Sequence, residues 1–301
     1  FVVLVAAGLF LGEWSAPGSA PAWREGVALP GTEDDADAAI AAYTPDPDAP
    51  PLAFYPGMGL QDPQNLVYEE IALSAQAGVH RYWTPVRAPW NGGEEVDDIL
   101  AVLRNVVQTD ASASFMLVVD LNPPAAWIQA NPQAAVLLGG ENRAIPCVVS
   151  EAWRAGARQA LQSLTEGIQR SPFASRVAGY VLCALERGQW RYGGVDLSPA
   201  NLNAFRGWLA GVYRNVDDMR AAWNDPSVSF PSVDIPALPE AAEDRPVFFE
   251  LPKDRPVVDF LHFTSESRAD SIAGLAMHLR MITSPETLIY APYGFSYEFL
   301  H

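Results

Sequence analysis

The apolar and polar positions of this chain follow two patterns that alternate along its length. Ser114–Leu121 and Val177–Leu185 are almost uninterrupted apolar runs of strand length, which are typical of strands buried on both faces of a parallel sheet. Shorter runs predict strands at Leu52–Tyr55, Val79–Val86 and Thr287–Tyr293. The pattern therefore predicts a sheet of about five buried strands.

The second pattern is helical. In Glu95–Gln108, residues such as Val96 and Ile99 recur at the spacing that places them on one helix face. Ser198 and Pro199 predict a helix start, because serine caps helix N-termini and proline suits the first helical position. The predicted helices are Asp34–Tyr43, Asn65–Ala77, Glu95–Gln108, Ala152–Gln169, Pro199–Tyr213, Val216–Trp223 and Val257–Ile282.

Predicted strands and helices alternate, which indicates parallel strands joined by helical crossovers. No G-x-G-x-x-G or G-x-x-x-x-G-K sequence follows a strand, so neither a dinucleotide-binding fingerprint nor a phosphate-binding loop is predicted. The predicted fold class is α/β, of the (β/α)8 TIM-barrel type. Because about five β/α units are visible and a closed barrel needs eight strands, we expect the barrel to be incomplete.

Composition divides the chain at about residue 50. Residues 1–50 open with an apolar run and continue through Pro, Ala, Gly and Asp. They are predicted to form an extended lead-in that holds a first strand or the remnant of a signal peptide. The run is too short for a membrane span, which needs ~20 apolar residues. Residues 51–301 are predicted to form the barrel domain, truncated before its last strands.

Charge and cysteine content narrow the range of partners. The chain has 36 acidic and 19 basic residues and a formal net charge of −17, which disfavours nucleic acid because like charges repel. Cys147 and Cys183 share no C-x-x-C spacing and the four histidines are scattered, so no metal or other cofactor is predicted. Cys183 fits a buried apolar position, with a single disulfide as the alternative.

Aromatic and polar residues gather where the predicted strands end, which is where parallel α/β folds place their chemistry. A sugar suits such a rim, because its C–H faces stack on aromatic rings and its hydroxyl groups need hydrogen-bonding partners. The tryptophans concerned are Trp83, Trp90, Trp127 and Trp190. The alternative is that they are core residues above the ends of the strands.

Two glutamates lie near predicted strand ends. Glycoside hydrolysis needs two carboxyl groups, one of them a general acid with a raised pKa. Glu186, directly after the Val177 strand, is the candidate general acid, and Glu298 is a second candidate carboxylate. The alternatives are a salt-bridged rim residue for Glu186 and a solvated surface residue for Glu298.

Seven short motifs occur in a characteristic order. They are GVHR at 78–81, NPPAAW at 122–127, GY at 179–180, RGQW at 187–190, AFRGWL at 204–209, AAWN at 221–224 and YGF at 293–295. In this order they resemble the β-galactosidase-like glycoside hydrolases of family 42, in the large clan of retaining (β/α)8 hydrolases. The resemblance covers roughly residues 51–301 and implies a two-carboxylate retaining mechanism on a β-galactoside or a related neutral sugar.

The resemblance also implies roles for individual residues. Trp127, Trp190 and Tyr293 are expected to form the platform on which the sugar stacks. Asn122 and Gln189 are expected to bond its hydroxyl groups.

Two departures from the family bear on activity. Relatives look like they carry Gly-Glu-Trp after the fourth strand, where this chain has Gly188-Gln189-Trp190. Glutamine has no ionisable proton, so either Glu186 has taken the role of the acid or the barrel no longer hydrolyses. The clan's nucleophile comes from the seventh strand, whereas the motif at Tyr293 matches the fifth, so the nucleophile is expected to be absent from this chain.

Two functions therefore stay open. One is a glycoside hydrolase-like protein that acts on a β-galactoside, and the other is a noncatalytic carbohydrate-binding or structural barrel that has lost its general acid at Gln189. A carbohydrate is the expected partner. An incomplete barrel also leaves a sheet edge for a second copy or a partner chain to cover. The sequence does not fix the compartment, and a secreted or periplasmic location is one alternative.

Overall fold

The computed structural model describes residues 32–46, 52–56, 66–237 and 249–293. The opening apolar run and Glu298 lie outside these residues. The helices are α1 Glu33–Ala42, α2 Leu66–Gln76, α3 Gly93–Thr109, α4 Ala125–Ala130, α5 Glu151–Arg170, α6 Pro199–Val212, α7 Val216–Trp223 and α8 Arg255–Ile282. The strands are β1 Arg81–Arg87, β2 Ser114–Asp120, β3 Ala135–Leu138, β4 Glu141–Pro146, β5 Val177–Cys183 and β6 Leu288–Tyr290.

The seven predicted helices are confirmed, with ends that agree to within two residues. The strand prediction at Leu52–Tyr55 is confirmed only as a single parallel bridge between Phe54 and Tyr82. The antiparallel hairpin of β3 and β4 was not predicted. Its turn is Gly139-Gly140, with φ of 57° and 83°. Two successive positive φ angles favour glycine, and this pair is a hairpin signal in the sequence.

The main sheet has the strand order β1-β2-β5-β6, and all its pairs are parallel. Phe54 adds a parallel bridge on the other side of β1. The strands thus follow one another across the sheet in chain order, as in a (β/α) barrel, whereas a doubly wound sheet reverses its order. The predicted fold class is confirmed, with five neighbouring strand positions among the described residues.

The chain divides into two compact units. Of the described residues, unit 1 contains those within Phe1–Asn122, Gln159–Gln189 and His278–His301, and unit 2 contains those within Pro123–Arg158 and Trp190–Met277. The main sheet belongs to unit 1, and the hairpin of β3 and β4 belongs to unit 2. The division of the chain at residue 50 stays a prediction.

The two faces of the main sheet differ in composition. One face, here the helix-packed face, carries Tyr82, Leu117 and Leu182, which are buried. The Tyr82 hydroxyl donates to the Ile71 carbonyl at 3.4 Å, so α2 lies against this face. The other face, here the cluster face, consists of Met116, Val118, Val181 and Cys183 with Tyr55 and Trp83 packed against them. Successive side chains of a strand point to opposite faces of the sheet, which places these two sets of residues on different faces.

The buried side chain of Arg176 links α1 to the rest of unit 1 by hydrogen bonds. The Arg176 guanidinium donates to the Ala39 carbonyl of α1 at 2.6 Å and to the Ala113 carbonyl at 2.7 Å. It also lies over the Tyr43 ring, 4.1 Å from its centroid. An arginine can serve several carbonyls at once, because its planar fork carries five N–H donors.

Unit 2 contains a second apolar core and a buried carboxylate that joins three helices. Asp259 of α8 accepts hydrogen bonds from the Tyr213 hydroxyl at 2.6 Å and from the Trp223 indole at 2.8 Å. Arg255 donates to its other oxygen at 2.8 Å. This carboxylate gives the tryptophan of the AAWN motif a structural role, because it satisfies the partly buried indole N–H. The core comprises Phe205, Leu209, Tyr213, Met219, Val233, Phe260 and Phe263.

Candidate functional site

The candidate site is the edge of the main sheet where β1, β2 and β5 end, here called the carboxyl edge. Arg87, Asp120 and Cys183 are the last residues of these strands and are register partners. The backbone ladder continues one step further, since the Leu121 N–H donates to the Cys183 carbonyl at 2.8 Å. Residues directly after these strands are therefore held in unit 1 by regular sheet bonding.

Asp120 is a carboxyl group buried at this edge, with 7% of its surface exposed. Burial raises its pKa to about 7, because desolvation disfavours the charged form. The Asn122 N–H, which donates to Asp120 Oδ1 at 3.0 Å, lowers the pKa and so limits the rise, as does the charge of Arg87. A carboxyl group with a pKa of this value can hold or release a proton near neutrality.

Sequence reasoning did not select Asp120 as a site residue. The signal was available, because Asp120 ends an apolar strand in the same way as Glu186 follows one. What the sequence does not indicate is its burial, which raises the pKa.

Asn122 bonds to the loop after β5. Its Nδ2 donates to the Leu185 carbonyl at 3.0 Å, and its Oδ1 accepts from the Leu185 N–H at 2.9 Å. The predicted contact of Asn122 with a sugar hydroxyl stays a prediction. The Asn122 side chain also interacts with Asp120 and lowers the pKa of that carboxyl group.

The loop after β5 turns sharply over the sheet edge. Leu185 has φ of 64°, and Glu186–Gly188 form one 3-10 turn that the Gln189 N–H closes onto the Glu186 carbonyl at 3.1 Å. Gly188 has φ of 72°, and a Cβ atom there would lie 3.1 Å from the Cys183 Cβ. Glycine is therefore favoured at 188 both by its backbone conformation and by the close approach to β5.

Two predicted site residues of this turn, Glu186 and Gln189, differ in solvent exposure. The Glu186 side chain is exposed, whereas Gln189 is buried with 5% exposure. The structure thus places Asn122, Glu186 and Gln189 in the loops that follow β2 and β5, at the edge of unit 1 where β2 ends in Asp120. A carboxyl group that titrates near neutrality, an exposed carboxylate and two amides are groups that can bond sugar hydroxyls.

Two aromatic rings of unit 1 lie on the cluster face below this edge. Trp83 of β1 is half-buried, and Tyr55 packs against the same cluster. Burial raises the pKa of Tyr55 to about 12, so its hydroxyl keeps its proton at neutral pH.

The three aromatic residues that were expected to form the sugar platform lie on different elements of the chain. Trp190 has no exposed surface and packs edge to face on Trp153, with ring centroids 6.2 Å apart. Its ring is therefore covered in this structure, and its expected place in the sugar platform stays a prediction. Trp127 is partly buried on α4 in unit 2, and Tyr293 follows β6 in unit 1 with half of its surface exposed.

Two kinds of feature are absent from the described parts of the chain. No described helix combines the length and apolar character that crossing a bilayer requires. No three or more His, Cys, Asp or Glu side chains of those residues are grouped as metal ligands would be. Cys147 and Cys183 are both buried free thiols.

Solved structures that resemble this chain are carbohydrate-processing enzymes. The β-galactosidase of the psychrophilic Marinomonas ef1 matches 80% of this chain with a TM-score of 0.55 and 19% identity, over 36% of its own length. The β-galactosidase of the Antarctic haloarchaeon Halorubrum lacusprofundi matches 80% with a TM-score of 0.57 and 18% identity, also over 36%. The β-amylase catalytic domain of Paenibacillus polymyxa matches 79% with a TM-score of 0.59 and 11% identity, over 64%.

These similarities define the fold as glycoside hydrolase-like. The chain spans 36% of the length of the two β-galactosidases. At identities below 20% the likeness is one of fold, and fold alone does not fix function. No protein-family model matches the sequence, and no curated protein matches it in sequence.

Proposed function

We propose that this chain binds a β-galactoside or a related neutral sugar at the carboxyl edge, as part of a glycoside hydrolase barrel of the family 42 type. The observation that carries the proposal is that Asn122 bonds both to Asp120 and to Leu185, and so joins the end of β2 to the turn with Glu186, at the edge where barrel enzymes hold their active sites. Neutral hydroxyl groups suit this set, because amides and carboxyl groups both donate to and accept from them. The strongly acidic chain does not repel a neutral ligand.

Hydrolysis needs a proton donor, and the edge offers two candidates. Glu186 is exposed at the turn and is the candidate general acid. Asp120 is the second candidate, because its pKa of about 7 keeps a proton available near neutrality. Retaining chemistry also needs a carboxylate nucleophile. The motif at Tyr293 matches the fifth strand, so we expect Glu298 to contact the substrate rather than to act as the nucleophile; it lies outside the described residues.

A noncatalytic sugar-binding barrel is the second candidate function. The feature that favours it is Gln189, which stands where the family motif has the acid. Gln189 can bond a hydroxyl group but cannot transfer a proton to the leaving oxygen. Binding at the carboxyl edge is common to both functions, so binding is tested first.

The test is a calorimetric titration of the chain with isopropyl β-thiogalactoside, which hydrolases do not cleave. Saturable binding that weakens at least about tenfold in Gln189→Ala is expected, because a lost hydrogen bond to a buried ligand costs about 1.4 kcal/mol. Gln162→Ala, on the exposed side of α5, is the matched control and is expected to bind as the wild type does. Absence of binding at millimolar sugar would contradict the proposal.

A measurement of hydrolytic turnover distinguishes the hydrolase from the noncatalytic sugar-binding barrel. The Gln189→Glu variant restores a carboxyl group at the motif position, so a gain of activity on a nitrophenyl β-galactoside supports a barrel that has lost its acid. Gln162→Glu is again the control. Retained binding without any turnover supports the noncatalytic module.

A further inference from the structure

We propose that Asn122 is a positioning residue. Its side-chain amide holds Leu185 in a left-handed backbone conformation and thereby directs the turn that carries Glu186 and Gln189 across the carboxyl edge. The effect on sugar binding rests on the proposed function, whereas the effect on the turn does not.

The first observation is the pairing itself. The Asn122 amide donates to the Leu185 carbonyl at 3.0 Å and accepts from the Leu185 N–H at 2.9 Å. The side chain therefore pairs with Leu185 as a neighbouring backbone amide would. Asn122 is itself fixed, since its N–H donates to Asp120 Oδ1 at 3.0 Å at the end of β2. The two bonds between the Asn122 side chain and Leu185 thus join the loops that follow two adjacent strands, β2 and β5, across 63 residues of sequence.

The second observation is the conformation that the amide holds. Leu185 has φ of 64° and ψ of −157°. That region is occupied almost only by glycine, and another residue stays there only where its surroundings over-determine it. The Leu185 side chain is buried, with 2% of its surface exposed. Leu185 is therefore held through both its backbone and its side chain.

The third observation is the turn directly after Leu185. Glu186–Gly188 form the 3-10 turn, and Gly188, with φ of 72°, brings the chain back onto Cys183. If the amide were removed, Leu185 would relax towards the extended region that leucine prefers. The chain direction after β5 would then change, and with it the positions of Glu186 and Gln189. Asn122 would act on a bound sugar through this turn.

The test combines amide hydrogen exchange with sugar titration. Asn122→Ala removes both bonds and is expected to speed the exchange of amides 185–189 about tenfold or more, while β2 amides 115–119 stay at the wild-type rate. Binding of isopropyl β-thiogalactoside is expected to weaken about tenfold. Asn201→Ala is the matched control, because Asn201 Nδ2 makes a similar side-chain bond to the Asp196 carbonyl at 2.8 Å. It should change neither readout.

Asn122→Asp gives a readout that is specific to the pairing. A protonated carboxyl group has one donor and one acceptor, as the amide has, whereas a carboxylate has no donor for the Leu185 carbonyl. The variant should therefore behave like Asn122→Ala at pH 8 and approach wild-type exchange and affinity at pH 3, below the ordinary pKa of about 3.9 of an aspartic acid. Asp120, Arg87, Cys183 and Glu186 are ionisable described groups of the same edge, so the wild type is measured at each pH as the reference.

The outcomes separate the two proposals. Unchanged exchange at 185–189 in Asn122→Ala, or an equal increase in 115–119, would overturn the positioning role. Asn122→Asp without recovery at pH 3 would overturn it as well. If Asn122→Ala does not fold, the result for Asn122→Asp decides. If amides 185–189 exchange in the Asn122 variants as expected but the wild type binds no sugar, the positioning role stands and the proposed function fails.

Discussion

At the scale of single residues, Asp120 shows how environment changes the chemistry of an ordinary carboxyl group. It ends β2 and is buried, so desolvation raises its pKa to about 7. The Asn122 N–H and the charge of Arg87 favour the ionised form but do not offset the burial. A carboxyl group held near its protonation midpoint at neutral pH is a feature of functional sites as well as of structural ones.

The Asp120→Asn variant tests this perturbed titration. The folded protein holds the Asp120 proton up to about pH 7, whereas the unfolded chain releases it near pH 4, so ionisation of Asp120 makes stability fall between these values. Asparagine resembles the protonated acid and does not ionise. The variant should therefore gain stability relative to the wild type from pH 4 to 7, by up to ~4 kcal/mol, and no further above pH 7.

Urea unfolding of both proteins at a series of pH values measures this difference. Asp217→Asn on α7 is the control, because its carboxylate is exposed and pairs with Arg220 at the surface. A difference between Asp120→Asn and the wild type that is independent of pH would show that Asp120 ionises normally.

At the scale of elements, α1 depends on contacts made far away in sequence. Its N-terminus is capped locally, since the Thr32 hydroxyl accepts from the Asp35 N–H at 3.1 Å. Its attachment to unit 1 depends on Arg176, which donates to the carbonyls of Ala39, Ala111 and Ala113. A ten-residue helix is marginal in water, so tertiary contacts of this kind decide whether it forms.

The Arg176→Met variant keeps the apolar stem and removes every donor. Three carbonyls then lose their partner, and we expect a loss of about 2–4 kcal/mol in the free energy of unfolding. Amides 36–42 should also exchange faster than those of β2. Arg170→Met is the control, because its exposed pair with Glu166 contributes less than about 1 kcal/mol. Equal effects of the two substitutions would contradict the role given to Arg176.

At the scale of the whole molecule, the sequence predicted the parts of the fold that depend on local pattern. The buried strands β2 and β5 are continuous apolar runs, and the helices between strands carry one apolar face. Those signals are sufficient for the helices and for a parallel sheet, because each depends on residues close together in sequence. The spatial order of the strands follows from the preference for neighbouring, right-handed crossovers.

The details of the site could not be predicted in the same way. The bonds between Asn122 and Leu185 join positions 63 residues apart, and no local pattern encodes such a pair. The burial of Trp190 depends on Trp153, a contact that only the folded chain makes. The strand at Phe54 is reduced to a bridge, and its apolar run alone did not reveal this. Long-range packing therefore decides which of the candidate residues are accessible.

The most direct test of the account is a map of amide hydrogen exchange with and without saturating isopropyl β-thiogalactoside. We expect slower exchange at residues 120–122 and 185–189, because the sugar is proposed to lie at the carboxyl edge, and no change at residues 79–81 and 112–114, which lie at the opposite edge of the same strands. Protection confined to the opposite edge, or to neither edge when the sugar is bound, would contradict the proposed site.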